Sequence, residues 1–257
     1  MLRTAQLIVA VSLAVALAAS EEIPLSERHS SYQDMSAETR AMQDHDAENP
    51  GMLWVLDGEA LWQTKAGKAA IACAGCHGDA ETSMKGVAAR YPAYDARRGT
   101  AIDLAGRINV CRTDHQQSPE LARESRDLLA LTALVARQSH GLPIDSDEAR
   151  LRPFIDAGRA IFTARQGQLD LACAHCHDAN RGKKLAGITL SQGHPTGYPL
   201  YRLEWQTLGS LQRRLRNCLI GMRAEPYAYG APEYIALEAY LMWRARGMPL
   251  ESPAVRP

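Results

Sequence analysis

The apolar positions of this 257-residue chain fall into three kinds of run. The first, Leu7 to Ala18, is nearly continuous; it follows Arg3 and closes on the small residues Ala16, Ala18 and Ser20. A basic start, a short apolar stretch and a small-residue end predict an export signal over residues 1–20, too short to span a bilayer. The second kind is spaced. Leu211, Leu215, Cys218 and Met222 recur at intervals of four, three and four, so a helix over 208–222 would carry all of them on one face. The third kind is an apolar helix ended by a glycine stop: Leu131 and Ala133 precede Gly141-Leu142-Pro143, and Leu237 and Ala239 precede Gly247-Met248-Pro249. Residues 21–49 are polar, acidic and weakly periodic, which predicts an arm that wraps or docks, or else a disordered extension.

The matched glycine stops belong to a longer internal repeat. Gly58, Ala60, Leu61, Trp62, Gly67 and Ala72 align without a gap with Gly158, Ala160, Ile161, Phe162, Gly167 and Ala172. Further on, "LAGRINVC" (Leu104 to Cys111) aligns with "LQRRLRNC" (Leu211 to Cys218). Two units follow, over 50–145 and 146–257, joined through the polar stretch "PIDSDEARLRP" from Pro143 to Pro153. Alanine and leucine are abundant while phenylalanine and β-branched runs are scarce, so each unit should be mostly α. The formal net charge is zero, which argues against nucleic acid as a partner.

Six cysteines in an exported chain would suggest disulfides, but four of them sit in "CAGCH" (Cys73 to His77) and "CAHCH" (Cys173 to His177). Two thiols one helical turn apart can each add to a vinyl group of one porphyrin, and the adjoining histidine then reaches the iron. One such pentapeptide is compatible with chance, zinc or a redox pair; two after an export signal predict two covalently bound haem c groups. Cys73, Cys76, Cys173 and Cys176 are the attachment points, and His77 and His177 the proximal ligands. This is the plan of cytochrome c, twice over.

The sixth ligand has two candidate pairs in the repeat: Cys111 with Cys218, and four residues later His115 with Met222. The cysteine is retained in both halves and Arg107 and Arg214 accompany it, whereas its downstream neighbour changes type; this favours Cys111 and Cys218. The alternatives are a disulfide between them or small buried core residues. An axial thiolate would stabilise ferric iron and depress its potential, which suits a chemical role for the sulfur better than a plain electron wire. Arg214 lies one turn before Cys218, where its cation would favour the thiolate and its two-pronged donor could grip an oxyanion. Arg213, Arg216 and Arg223 enrich the same region, although a solvated helix face would account for Arg213 and Arg216.

These residues, above all "RRLRNCLIGMRAEP" after the second haem motif, resemble the SoxA family, dihaem subunits of the SoxAX complex of sulfur-oxidising bacteria. The resemblance covers essentially the whole chain beyond the export signal. It implies His77 with Cys111 and His177 with Cys218 as axial pairs, Cys218 as the active-site cysteine found as a persulfide, and Arg214 as the substrate-binding arginine. It also implies L-cysteine S-thiosulfotransferase activity in the periplasm, with thiosulfate as substrate. A SoxX-type monohaem cytochrome would be the tight partner, a SoxYZ-type protein the carrier, and a soluble cytochrome c the acceptor. No membrane span is expected in the mature protein.

Of the remaining groups, His175 should be a surface residue, and His29, His45, His140 and His194 ordinary. Met84 stands too near the first motif to be a distal ligand and should pack in the core. The rival readings are a dihaem electron carrier or peroxidase using His115 and Met222, and a haem-bearing docking subunit without chemistry of its own.

Overall fold

The computed structural model describes residues 22–146 and 148–257, so the expected export signal lies outside the described residues. Within them the sequence repeat is also a repeat of elements. After α1 (Ala37–Asp44), the first half runs α2 (Met52–Gln63), the single turns α3 (Cys73–His77) and α4 (Ala80–Ser83), and a hairpin of β1 (Ala93–Asp95) and β2 (Thr100–Ile102). It closes with α5 (Leu104–Asp114) and α6 (Arg126–Arg137). The second half runs α7 (Arg152–Thr163), the single turn α8 (Cys173–His177), a short hairpin of β3 (Lys184–Leu185) and β4 (Ile188–Thr189), and a second hairpin of β5 (Leu200–Arg202) and β6 (Thr207–Gly209). Then come α9 (Leu211–Gly221), α10 (Pro232–Arg244) and β7 (Ala254–Arg256), which pairs in parallel with β5. The mostly helical, doubled architecture expected from the sequence is the one observed.

The repeated glycines set how closely the helices meet. A Cβ on Gly58 would lie 2.4 Å from the Ala130 carbonyl oxygen of α6, and one on Gly158 would lie 2.0 Å from that of Ala236 in α10. Only glycine allows α2 on α6 and α7 on α10 at these separations. Around the first crossing pack Trp54, Val55, Trp62, Leu129 and Leu134; around the second, Ile155, Phe162, Tyr234, Leu237 and Tyr240. Every one of these side chains is buried, so each half has its own core.

The halves join where their glycine stops meet. Gly141 N donates to the Leu250 carbonyl (2.8 Å) and Ile144 N to that of Met248 (2.9 Å), above a cluster that includes Ala136, Ile144, Met242, Ala245 and Leu250. Residues 22–49 dock along the end of the chain. Asn49 Nδ2 donates to the Pro253 carbonyl (2.9 Å), Val255 N to Gln43 Oε1 (3.1 Å) and Arg28 Nη1 to the Arg246 carbonyl (2.6 Å).

The helix expected over 208–222 is shorter than its apolar pattern. Ser210 is extended, and its hydroxyl accepts the Arg213 amide at 3.2 Å, so α9 starts at Leu211 and Leu208 belongs to β6. Asp103 does the same for α5, accepting the Gly106 amide at 2.8 Å. Caps of this kind contribute about 1 kcal/mol each and fix the first turn on which Arg107 and Arg214 stand.

Candidate functional site

Each C-x-x-C-H turn is pinned against the far end of its partner helix. Gly67 (φ 63°) and Gly167 (φ 69°) have left-handed backbone, and a Cβ on them would lie 2.0 Å from the Gln116 carbonyl oxygen and 2.3 Å from that of Met222. Ala69 N donates to Gln116 O (3.2 Å) and Gln168 N to Arg223 O (3.1 Å). The two glycines are repeated because the turn entering each motif lies against the backbone just beyond α5 or α9. Each histidine has an aromatic neighbour at the repeated position: Trp62 to His77 is 5.7 Å between ring centres, and Phe162 to His177 is 6.4 Å.

Two cavities open at these motifs. The first, about 440 Å³, is lined by Cys73, Cys76, His77 and Cys111 among apolar side chains such as Leu104 and Val135. The second, about 170 Å³, is lined by Cys173, His177, Arg202, Arg214 and Cys218 among others. The first has the size and apolar walls of a cofactor pocket. The second is narrower, and His177 and Cys218 line it together. The first therefore holds the paired thiols, the histidine and a further thiol that covalent haem needs, and the second holds Cys173, His177 and Cys218, with Cys176 on the same turn α8; the residues present fit the group.

The proximal histidines differ in how they are held. His177 Nδ1 donates to the Ser191 carbonyl at 2.9 Å, which fixes the tautomer and leaves Nε2 free to ligate. Among the described residues His77 has no such partner.

The second cysteines differ more. Burial pushes the Cys111 thiol up; Arg107 opposes this, Asp114 and Cys76 add to it, and the net shift is upward. Burial also pushes on Cys218, yet the hydrogen bond from His177, then Arg214, the His177 charge and Arg202, outweigh it and the net shift is downward. The repeat explains the contrast. Arg107 is paired with Asp95 at 2.9 Å, whereas Arg214 has no carboxylate partner among the described residues. "YPAYD" (Tyr91 to Asp95) aligns with "YPLYR" (Tyr198 to Arg202), so the place of Asp95 is taken by Arg202. That alignment is legible in the sequence and marks Tyr198 and Arg202, which lie outside the haem and cysteine motifs. Tyr198 lines the same cavity half-buried, and desolvation there pushes its phenol up to about 12 against Arg214 and Arg202.

The competing residues have other settings. Met222 is buried in the second core and caps α9 rather than lining the second cavity. His115 lies at the exposed end of α5, on the rim of the first cavity. All six cysteines are free thiols, so Cys111 and Cys218 do not form the alternative disulfide. Met84 packs against the first core as expected. His175 is more than a surface residue: its Nδ1 accepts the Ala172 amide at 2.8 Å and shapes the start of α8. His194, expected to be ordinary, is held well below the usual imidazole range, at about 3, by burial and by Arg244 and Arg28. Arg213 stacks over Trp205 (4.4 Å) and Arg216 over Tyr229 (4.8 Å), so both are occupied away from the sulfur.

Known proteins carry the same construction. The model of the SoxA/TsdA cytochrome c domain matches residues 57–144 and again 157–250. The chain is 38% identical to the L-cysteine S-thiosulfotransferase subunit SoxA of Pseudaminobacter salicylatoxidans, over 93% of this chain and 84% of that protein. To the subunit of the same name from Rhodovulum sulfidophilum it is 37% identical, over 85% and 77%. Its fold superimposes on a chain of the SoxXA crystal structure from P. pantotrophus with a TM-score of 0.86 and 30% identity, covering 90% of this chain and 87% of that one. Cytochrome c domains carry covalently attached haem c. A domain match repeated over both halves, with relatives aligned along nearly the full length, makes the chain a member of the SoxA/TsdA cytochrome c family.

Proposed function

We propose that this chain is the catalytic haem subunit of an exported L-cysteine S-thiosulfotransferase, with the Cys218 cavity as its active site. The observation that carries this is a half-buried thiol that lines one cavity with two guanidiniums, Arg214 and Arg202. A thiol in an electropositive recess is a nucleophile.

Cys73, Cys76 and His77 hold one haem and Cys173, Cys176 and His177 the other, with Cys111 and Cys218 as the sulfur ligands. The substrate is thiosulfate, bound with its sulfonate toward Arg214. The Cys218 thiolate and the outer sulfur of thiosulfate form a sulfur–sulfur bond, and two electrons leave. The thiolate of a carrier protein then attacks the held sulfur, the bond to Cys218 breaks, and Cys218 departs as thiolate. The second haem, when bound, would take these electrons one at a time and pass them on to the haem of a partner cytochrome. A SoxX-type monohaem cytochrome would be the partner, a SoxYZ-type protein the carrier, and a soluble cytochrome c the final acceptor. Export to the periplasm through residues 1–20 completes the reading; no helix among the described residues is long and apolar enough to cross a membrane.

The test is direct. The holoprotein should carry two haems by intact mass and, on part of the population, one extra sulfur that maps to Cys218. Magnetic resonance of the ferric protein should show thiolate ligation. A Cys218→Met variant that still conjugated thiosulfate at the wild-type rate would leave the electron-carrier reading in place of this one.

A further inference from the structure

We propose that Arg202 is a second anion-binding residue of the Cys218 site, gripping the sulfonate of a thiosulfate-like dianion together with Arg214. The inference rests on the proposed function and extends it to a residue that no motif singled out.

In the first half the last residue of β1 is Asp95, which takes Arg107 at 2.9 Å and Arg98 at 3.4 Å. That guanidinium is neutralised and has nothing left to offer an anion. The second half keeps the arginine, as Arg214, but ends β5 in Arg202. A purely structural pair would have kept the carboxylate, since two guanidiniums at one buried site repel. The exchange therefore makes sense where an anion arrives from outside.

The surroundings of Arg202 agree. Its side chain is buried, its Nε has no hydrogen-bond partner, and its one ion pair is from Nη2 to the exposed Glu204 at 3.0 Å. Such a buried unpaired donor calls for a ligand. Arg202, Arg214 and Cys218 line the same cavity. Arg256 also reaches this cavity, but Glu251 and Gln43 already occupy its guanidinium. The Arg214 guanidinium and the unpartnered Nε edge of Arg202, whose pair with Glu204 lies at the exposed side, can share the three oxygens of a sulfonate and leave the outer sulfur toward the thiol, an arrangement lysine cannot reproduce.

The test uses the haem-loaded protein with its cytochrome partner. Initial rates are measured against thiosulfate concentration, and thiosulfate binding is measured by calorimetry without carrier. Arg202→Gln should raise KM and weaken binding by about ten- to a hundredfold, the loss expected for one charge-assisted donor, with a smaller change in kcat. Haem content and the reduction potential of the second haem should not change. Arg202→Lys should recover part of the affinity, and it carries the same test if the glutamine variant fails to fold. Asp95→Asn should leave KM as it is. Unchanged KM and binding in Arg202→Gln would overturn the proposal. So would a loss of haem or a shifted potential with thiosulfate affinity intact, because the guanidinium would then serve the carboxylates of the haem. A wild-type protein that binds thiosulfate through Arg202 but never conjugates it would sink the proposed reaction and leave this site standing.

Discussion

The two halves of this chain were built from one plan and now differ at the point where chemistry is expected. Both have a glycine-mediated helix crossing, a C-x-x-C-H turn pinned to the end of a capped helix, and a cysteine one turn after an arginine. In the first half the arginine is tied to Asp95 and the thiol is pushed up. In the second half Arg202 stands where Asp95 did, His177 is braced by Ser191, and the thiol is pulled down. One exchanged charge on a strand leaves the first cavity with an arginine paired to a carboxylate and the second with two arginines.

The comparison can be broken most severely at the cysteines. Cys218→Met should lower thiosulfate conjugation by about a thousandfold or more, as loss of a nucleophile does, while Cys111→Met should leave most of the rate. The check is product formation on the carrier, with haem stoichiometry by absorbance confirming that both variants are loaded. Equal losses in the two variants would erase the distinction between the halves.

The next effect is one the halves should share. Gly158→Ala and Gly58→Ala each force a Cβ into a facing carbonyl and should cost about 1–3 kcal/mol or more, read as a lowered Tm in thermal unfolding. Separate losses in the two variants would show that the crossings are equivalent. An unchanged Tm for either would mean the helices can move apart there.

The arginines should then separate the halves again. Arg214→Ala should reduce kcat/KM for thiosulfate by about ten- to a hundredfold. Arg107→Ala should leave kcat/KM near wild type and cost about 1 kcal/mol of stability, because its partly exposed ion pair with Asp95 is lost.

The last effect concerns pH. Glu238 of α10 lies in the cleft between the halves, beside Asp103 and Gln212, and burial with the nearby Asp103 charge pushes its carboxyl up to about 8. The folded chain therefore keeps a proton that the unfolded chain has lost above its ordinary value of 4.5. The stability this group contributes is complete below that value and is lost as pH rises toward about 8. Glu238→Gln should flatten the fall in Tm between these limits. A wild-type Tm that does not fall over this range would refute the assignment.

Much of the plan was legible in one dimension. The haem motifs, the spacing of Leu211, Leu215 and Cys218 on one helical face, and the paired glycines are local patterns, and local patterns survive in the sequence because helix geometry fixes which residues meet. The start of α9 was misjudged because the apolar period runs through Leu208 while the Ser210 cap decides the boundary. The significance of Gly58 and Gly158 was also hidden, since their contacts lie more than seventy residues away in α6 and α10.

The sequence by itself determined the duplication, the helical class, the two C-x-x-C-H motifs and the pairing of each lone cysteine with an arginine. Only the tertiary structure decided that one of these arginines is neutralised and the other is not. A residue's charge environment is the sum over everything folded around it, and here the deciding partners come from a hairpin, a loop and a strand that helical spacing does not reach.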